Sequence, residues 1–570
     1  MKNWVPVEAD DQTALRIHRE SGHHPAVCRL LASRGLTRAD AIDRFLNPRL
    51  SDISDPFEMA GMDRAAARVW SAIDAGEMVV IYGDYDVDGV TSTALLFTVL
   101  SALGGRARMF LPHRVDDGYG LGVGPLRRCI EEHQPGLVIT VDCGTGSVDA
   151  VHAAREADVD VVITDHHEPA GEPAPAHAIV NPKLGAPAPA ASLAGVGVAF
   201  KLCHALIKTG RDGNHEAARQ LDLRGLLKWV ALGTVVDLAP LEGENRILVR
   251  HGLDDLNAGA GIGLEALKAV GGVRGPVDTY HLGFVLGPRL NAAGRLGGAE
   301  AALELLLCRD DTRARALAGE LDAANRERQA MEARMVEEAC AEIDSTFDPD
   351  RDFGLVVARD GWHPGVIGIV ASRLVNRYNR PVIVIGFDDE GTGKGSCRSF
   401  ASFHLVNGLA ECAEYLAAYG GHAQAAGLTI ERDQVKPFRQ AFNAVAAREL
   451  QGTDLRPQLR IDAWIDMAEI DDRMLEAVEA LRPFGLGNPK PVWAVRGARL
   501  LGPPRIVGRG HVKMLVTAGA AQREAIGFGM GDREIPDGPI DLAFRLNRNE
   551  YMGRTTIQLV LEDFRETESA

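Results

Sequence analysis

Two periodicities divide the chain. Over residues 78–181, short apolar runs alternate with stretches whose apolar positions recur every three or four residues. The runs at 78–82, 107–111, 137–141, 159–164 and 178–180 read as strands, and 91–103, 126–133 and 147–157 as the helices between them. Such alternation predicts a parallel sheet covered by helices. A second α/β series opens with a strand at 353–357, continues as a helix through Tyr378 and returns as a strand at 382–385. Between the two series, residues 310–344 carry charge on most faces and a thin Leu/Ala/Met seam, the pattern of one long spacer helix. From about residue 455 the period falls to two, with strands expected at 459–465, 492–495, 499–507, 512–516, 525–528, 540–546 and 555–561. Short strands broken by Gly and Pro suit a small barrel of the OB type. Residues 1–60 form a helical lead-in with short amphipathic helices at 24–31 and 39–45, and 62–75 is a further helix ended by Gly76. The expected fold class is therefore α/β. A parallel-sheet domain spans 61–309, a connecting helix 310–345, a second α/β domain 346–452 and an OB-type β-barrel 453–570.

The polar residues at the strand ends supply the candidate chemistry. The first apolar run leads into Asp84, Asp86 and Asp88, spaced two apart and followed by Gly89. On extended backbone these side chains would share one side, where mutual repulsion calls for a divalent cation. The third run leads into Asp142-Cys143-Gly144 and the fourth into Asp165-His166-His167. Ligand sites in parallel sheets gather at the carboxyl ends of strands, so these groups should converge as a metal site. Asp237, after an apolar helix at 225–236, is a possible fourth carboxylate. Gly195-Val196-Gly197 fits close helix packing rather than a nucleotide loop, because Walker and Rossmann spacings are both absent. Arg114 in a glycine-bearing loop could reach a phosphate, and residues 288–295 set Arg289, Asn291 and Arg295 on what reads as a Gly-rich loop. Ser396-Cys397-Arg398 and the glycine-flanked His422 of segment 420–427 are the candidates in the second α/β series.

Composition narrows the picture. A net charge of −17 does not by itself suggest nucleic acid. Only 10 of the 62 basic residues are Lys. That excess of Arg fits a coding bias that also raises Ala and Gly, so only individually placed arginines count. Eight scattered cysteines without a C-x-x-C pair exclude the usual thiolate zinc sites and fit a reducing cytoplasm. No stretch approaches the roughly 18 apolar residues of a membrane span, and the first residues lack a signal-peptide core.

Taken in order, Asp84-Tyr85-Asp86-Val87-Asp88-Gly89, Asp142, Asp165-His166-His167 and Asp237 are similar to the four motifs of the DHH phosphoesterase family. Segment 420–427 resembles the glycine-rich signature of the DHH-associated domain. The 363–368 stretch, the 114–120 loop and the barrel resemble the RecJ single-stranded-DNA exonucleases within that family. The resemblance implies two Mn²⁺ or Mg²⁺ ions held by Asp84, Asp86, Asp88, Asp142, His166 and Asp237, with His167 and Asp165 beside them. It places Asp86, Asp88, Asp142, His166, His167 and Asp237 in the catalytic centre. It assigns Arg114, Arg289, Asn291, Arg295, Ser396, Arg398 and His422 to the strand and its 5′ end. The implied reaction is hydrolysis of single-stranded DNA from 5′ to 3′ into mononucleotides, in recombination and repair. Another DHH phosphoesterase, acting on oligoribonucleotides, cyclic dinucleotides or pyrophosphate, is the alternative, and the barrel speaks against so small a substrate. A metal-free DNA-binding relative is opposed by the intact acidic motifs. The expected partners are single-stranded DNA, a helicase and a single-strand-binding protein, and the chain is expected to be a cytoplasmic monomer.

Overall fold

The computed structural model describes the chain apart from residues 1, 9, 114–119, 170, 297, 389, 552–553 and 568–570. Arg114 and most of its loop therefore lie outside the described residues. The chain forms two compact units, one of residues 53–455 and one combining residues 1–52 with 456–570.

The larger unit begins with a five-stranded sheet of β1 (Met78–Gly83), β2 (Arg106–Phe110), β3 (Leu137–Val141), β4 (Asp160–Thr164) and β5 (Ala178–Val180). All pairings are parallel, in the order β2-β1-β3-β4-β5. Both faces are covered over β1, β3 and β4, which is why these strands read as nearly unbroken apolar runs, whereas the edge strand β2 exposes Arg106 and Arg108. The chain leaves β1 toward β2 on one side and returns to β3 on the other. The carboxyl ends of β1 and β3 thus form a topological switch point, the place where such sheets bind ligands.

Three helices close on that edge: α1 (Val87–Ala102), α2 (Gly195–Asp212) and α3 (Leu227–Val236). All three pack against one another. Within α2, Lys201 is fully buried and meets the equally buried Glu244, with Nζ 3.0 Å from Oε2. Nζ also donates to the Ser54 carbonyl at 2.8 Å.

A π-helical turn, His281–Leu286, runs into α4 (Gly287–Leu296). The long helix is α5 (Asp311–Asp344), about 51 Å at 1.5 Å per residue. Its first half buries Ala314, Leu317 and Leu321, and it packs on α4 and on helix Ile262–Val270. Its second half buries Met335, Ala339 and Ile343 in the core of a second sheet. That sheet holds β6 (Leu355–Asp360), β7 (Val382–Phe387), β8 (Thr392–Arg398), β9 (Ala418–Gly421) and β10 (Ala425–Glu431), in the order β9-β10-β8-β7-β6. Helix α6 (Pro364–Tyr378) covers one face, and helix Val435–Leu450 the other.

The smaller unit contains a closed five-stranded barrel of β11 (Trp493–Leu500), β12 (His511–Ala518), β13 (Ala521–Gly527), β14 (Ile540–Tyr551) and β15 (Arg554–Glu566). The ring runs β11-β14-β15-β13-β12 and closes where Arg499 and Leu500 pair with Thr517 and Val516. Residues 1–52 are part of this unit. Strand Asn3–Pro6 pairs with Gln458–Ile461, and Ile17, Leu30, Leu31 and Ile42 enter the same core as Trp493 and Phe544.

Several expectations need correction. The run 499–507 is two strands, because Pro503 and Pro504 cannot donate to a ladder; β11 ends at Leu500 and a short strand, Arg505–Val507, follows. Likewise 459–465 divides into Gln458–Ile461 and Ala463–Trp464. Helix Asp472–Glu479 lies in a stretch assigned no element. Residues 288–295 are helical rather than a loop. The two glycines of helix α4 serve close packing: a Cβ at Gly287 would stand 2.4 Å from Val236 Cγ2, and one at Gly294 2.7 Å from the Tyr85 carbonyl.

The buried ion pair gives a test of how α2 is held. Lys201→Met leaves Glu244 buried without its cation and should cost about 3–5 kcal/mol of unfolding free energy in urea titrations. Lys201→Met combined with Glu244→Leu should regain most of it, and a single variant as stable as the parent would show that the pair contributes nothing.

Candidate active site

The site is built on one row of the first sheet. Gly83, Val141 and Thr164 are register partners across β1, β3 and β4. The next residue in each strand is an aspartate, so Asp84, Asp142 and Asp165 stand side by side, each no more than 2 % exposed. The backbone turns there. Asp142 adopts φ +65°, a left-handed conformation that Asp tolerates better than bulkier residues, and its N–H donates to the Thr164 carbonyl at 2.9 Å.

The other two aspartates of the first motif reach the site differently from expectation. They do not alternate along a strand. β1 stops at Gly83, and Asp86 becomes the N-cap of α1, its Oδ1 accepting from the Asp88 and Gly89 N–H groups at 2.9 and 3.1 Å. The helix thus starts at Val87, four residues earlier than the apolar pattern suggests, and Asp88 lies in its first turn. Gly89 is required because a Cβ would come 2.4 Å from the Asp84 carbonyl. Both oxygens of Asp88 accept from the start of α2, Oδ2 from Gly195 N–H at 2.7 Å and Oδ1 from Val196 N–H at 2.8 Å. The Gly195-x-Gly197 segment is close packing, as expected: a Cβ at Gly195 would meet Asp142 Oδ1 at 2.6 Å.

His166 sits at the centre of the carboxylates. Its Nε2 is 3.1 Å from Asp142 Oδ1, 3.8 Å from Asp237 Oδ2 and 3.9 Å from Asp88 Oδ2. Burial, and then the neighbouring His167, lower its pKa to about 4, so the ring is neutral at physiological pH. Asp142 Oδ1 and His166 Nε2 are both buried and neither makes a hydrogen bond. Two buried lone-pair atoms without a donor between them fit a cation that both can ligate. Ligand atoms of Asp84, Asp86 and Asp142 lie within 4.8 Å of one another, as do those of Asp88, His166 and Asp237, and those of Asp142, His166 and His167. Asp165 acts through its neighbours. Its Oδ1 accepts from the His166 and His167 N–H groups and from His167 Nδ1 at 2.8 Å, and its Oδ2 from the Thr145 N–H. Burial opposes its charge, yet these bonds hold its pKa at about 2. They raise that of His167 against its own burial. Asp237 ends α3, and the next residue, Leu238, is exposed with φ +62°, a second strained position at the site.

The candidate anion contacts separate into two groups. Arg289 donates to Asp322 Oδ1 at 2.9 Å and to the Val285 carbonyl at 2.6 Å, which commits it to α5. Asn291 Oδ1 accepts from Val87 N–H at 3.1 Å and so supports the start of α1. Arg295, Ser396 and Arg398 instead gather at the first turns of α6. Arg295 donates to the Gly365 carbonyl at 3.0 Å, and Arg398 to Ser396 Oγ at 3.1 Å. A Cβ at Gly368 would lie 3.1 Å from both Arg398 Nη2 and Ser396 Oγ. His422 is exposed in the turn between β9 and β10, its N–H donating to the Ala425 carbonyl at 2.8 Å. Sequence reasoning missed the paired Arg328, Glu332 and Arg373, which line a cleft of about 560 Å³ with Arg295 and Asn291. Arg328 and Glu332 had one signal, the polar interruption of the α5 seam, and Arg373, on α6, had none.

Comparison with known proteins identifies three domain families along the chain. Residues 78–234 match the DHH family, N-terminal domain, residues 352–448 the DHHA1 domain, and residues 461–563 the RecJ OB domain. The single-stranded-DNA-specific exonuclease RecJ of Bacillus subtilis (strain 168) is 39% identical over 98% of this chain and 70% of its own length. The crystal structure of RecJ in complex with Mn²⁺ from Thermus thermophilus superposes with a TM-score of 0.85 at 30% identity, covering 100% of this chain and 80% of that one. The Mg²⁺ complex from the same organism gives 0.78 at 28% identity, covering 100% and 79%.

The crowded carboxylates set a pH dependence. Burial, then repulsion from neighbouring aspartates, raises Asp88 to about 7 and Asp237 to about 9. An unfolded carboxyl titrates near 4, so between about pH 4 and 9 the folded, metal-free protein holds protons that the unfolded chain has released, and stability falls as pH rises. Melting in EDTA should therefore occur at lower temperature at pH 9 than at pH 6. Asp237→Asn should flatten that dependence, and an unaltered slope in the variant would refute the assignment.

Proposed function

The chain belongs to the RecJ family of single-stranded-DNA-specific exonucleases, and on that premise we propose a two-metal exonuclease that degrades single-stranded DNA from its 5′ end to mononucleotides, in recombination and repair. The observation that carries this reading is the convergence of Asp84, Asp142 and Asp165 on one strand row with His166 among Asp88, Asp142 and Asp237. In this reading Asp84, Asp86 and Asp142 hold one divalent cation and Asp88, His166 and Asp237 the other, with His167 at the junction. Mn²⁺ and Mg²⁺ are the candidates because Thermus thermophilus relatives were crystallised with them. When bound, the two ions neutralise the phosphate and lower the pKa of the attacking water. The protein's own part is to keep six ligand groups in place before substrate arrives. Asp165 orients His167, and the backbone N–H groups of Gly195 and Val196 orient Asp88.

Residues 61–309 would form the catalytic domain, 346–452 the strand-end domain and 453–570 a track for longer DNA. The barrel supports its part with the exposed Arg505, Arg509 and Phe528, whose ring stands 5.1 Å from that of His511. A helicase supplying single strand and a single-strand-binding protein are the partners this activity would need, with the enzyme acting as a cytoplasmic monomer. Among the described residues, no helix is long and apolar enough to cross a membrane.

Mn²⁺ should raise the melting temperature of the parent protein by several degrees but not that of Asp142→Asn or His166→Ala. The same variants should lose several orders of magnitude in release of 5′-labelled mononucleotide from single-stranded DNA. Wild-type turnover in Asp142→Asn, or full activity of the parent in EDTA, would end the two-metal reading.

Polarity would come from the α6 start. A 5′ phosphate monoester carries nearly two negative charges, and Arg398 with Ser396, assisted by Arg295, is suited to it. Arg398→Ala should reduce kcat/KM more on 5′-phosphorylated than on 5′-hydroxyl strands. Equal losses would place Arg398 elsewhere on the path.

A further inference from the structure

The π-helical turn before α4 carries a feature that neither the metal centre nor the 5′-end contacts use. Tyr280 and Phe284 are 62% and 71% exposed, and their rings stack at 5.2 Å with an interplanar angle of 27°. Gly287, which ends this turn, lets it pack closely on the helix capped by Asp237. A Cβ at Gly287 would meet Val236 Cγ2 at 2.4 Å, and Gly283 faces Val235 Cγ1 with room for an ordinary contact at 3.8 Å. A π-helical turn is an uncommon geometry that recurs at functional sites. Phe284 also lines the cleft that contains Asn291, Arg295, Arg328 and Arg373. In a chain of net charge −17, that cleft holds three guanidinium groups and one carboxylate, Glu332. Asn291 connects it to Val87, next to Asp86.

Exposed aromatic faces beside guanidinium groups match unpaired bases on a phosphate backbone. A base within a duplex is already stacked on both faces and offers none. We propose that Tyr280 and Phe284 form a stacking platform that holds bases of a single strand in the cleft beside the Asp237 end of the metal centre. The inference rests on the exonuclease reading and adds to it a sequence-independent contact that favours unpaired strands.

The test uses the full chain in EDTA, so that binding is read without cleavage. Oligothymidylates carrying 2-aminopurine at successive positions from a 5′-phosphorylated end are titrated with protein. The parent should quench one or two adjacent positions through stacking. Phe284→Ala and Tyr280→Ala should lose that quenching and bind about five- to a hundredfold more weakly. Phe284→Trp should retain both properties, whereas Phe284→Leu, equally apolar, should not. A Phe284→Leu variant that binds and quenches like the parent would overturn stacking as the interaction. Unaltered quenching and affinity in both alanine variants would overturn the platform, and would fit a pair that instead contacts another protein. Failure of the parent itself to bind any oligonucleotide or degrade single-stranded DNA would bring down the exonuclease reading, and the platform with it.

Discussion

Everything in the larger unit answers to the repulsion among carboxylates confined at one edge of the first sheet. Asp84, Asp88, Asp142 and Asp165 are buried there, with Asp86 and Asp237 beside them. A cluster of this kind persists only where donors and cations offset its charge. The fold provides the donors first. The α1 N-terminus faces Asp86, the α2 N-terminus faces Asp88, and the backbone of residues 145, 166 and 167 faces Asp165. Asp142 Oδ1 and His166 Nε2 receive no donor at all, which is where a cation has most to offer.

That arrangement explains the distribution of glycine around the site. Gly89, Gly195 and Gly294 each stand where a Cβ would strike Asp84, Asp142 or Tyr85. Helix termini can come close enough to donate to buried carboxylates only if the side chain between them is absent. The strained φ of Asp142 belongs to the same economy, because it turns the chain so that one strand row delivers its carboxylate toward His166.

The long helix extends the consequences to the second sheet. α5 is part of the core at both ends and polar in the middle, where Asp322, Asn325, Arg328 and Glu332 are buried and the last two line the cleft. Its length keeps the two α/β bodies in one unit. The Arg295 contact to the first turn of α6 links the helix beside the aspartates to the Ser396–Arg398 group. A strand end read at α6 would thereby be referred to the metal centre through packed helices rather than through a loop.

Much of this was legible in the residues alone. Parallel strands buried on both faces are nearly continuously apolar, so β1, β3 and β4 stood out, β2 was visible despite its exposed arginines, and strand-end residues in a parallel sheet must share an edge. Asp84, Asp142 and Asp165 could therefore be grouped without coordinates. The long helix was equally legible from its thin Leu/Ala/Met seam, although the polar residues buried midway along it were not. What sequence could not decide is how spacing becomes direction. Asp86 and Asp88 follow the strand rather than occupy it, because a helix N-terminus needs a cap and α2 supplies donors from more than a hundred residues away. The same applies to Arg289 and Arg295, six residues apart on one helix: one is taken by Asp322 on α5 and the other by the α6 start. Residues 1–52 joined the barrel core through contacts separated by over four hundred residues. Local pattern sets which elements form and which residues lie at their ends; the partners those residues meet are chosen by packing between segments distant in the chain, and only the tertiary structure contains that choice.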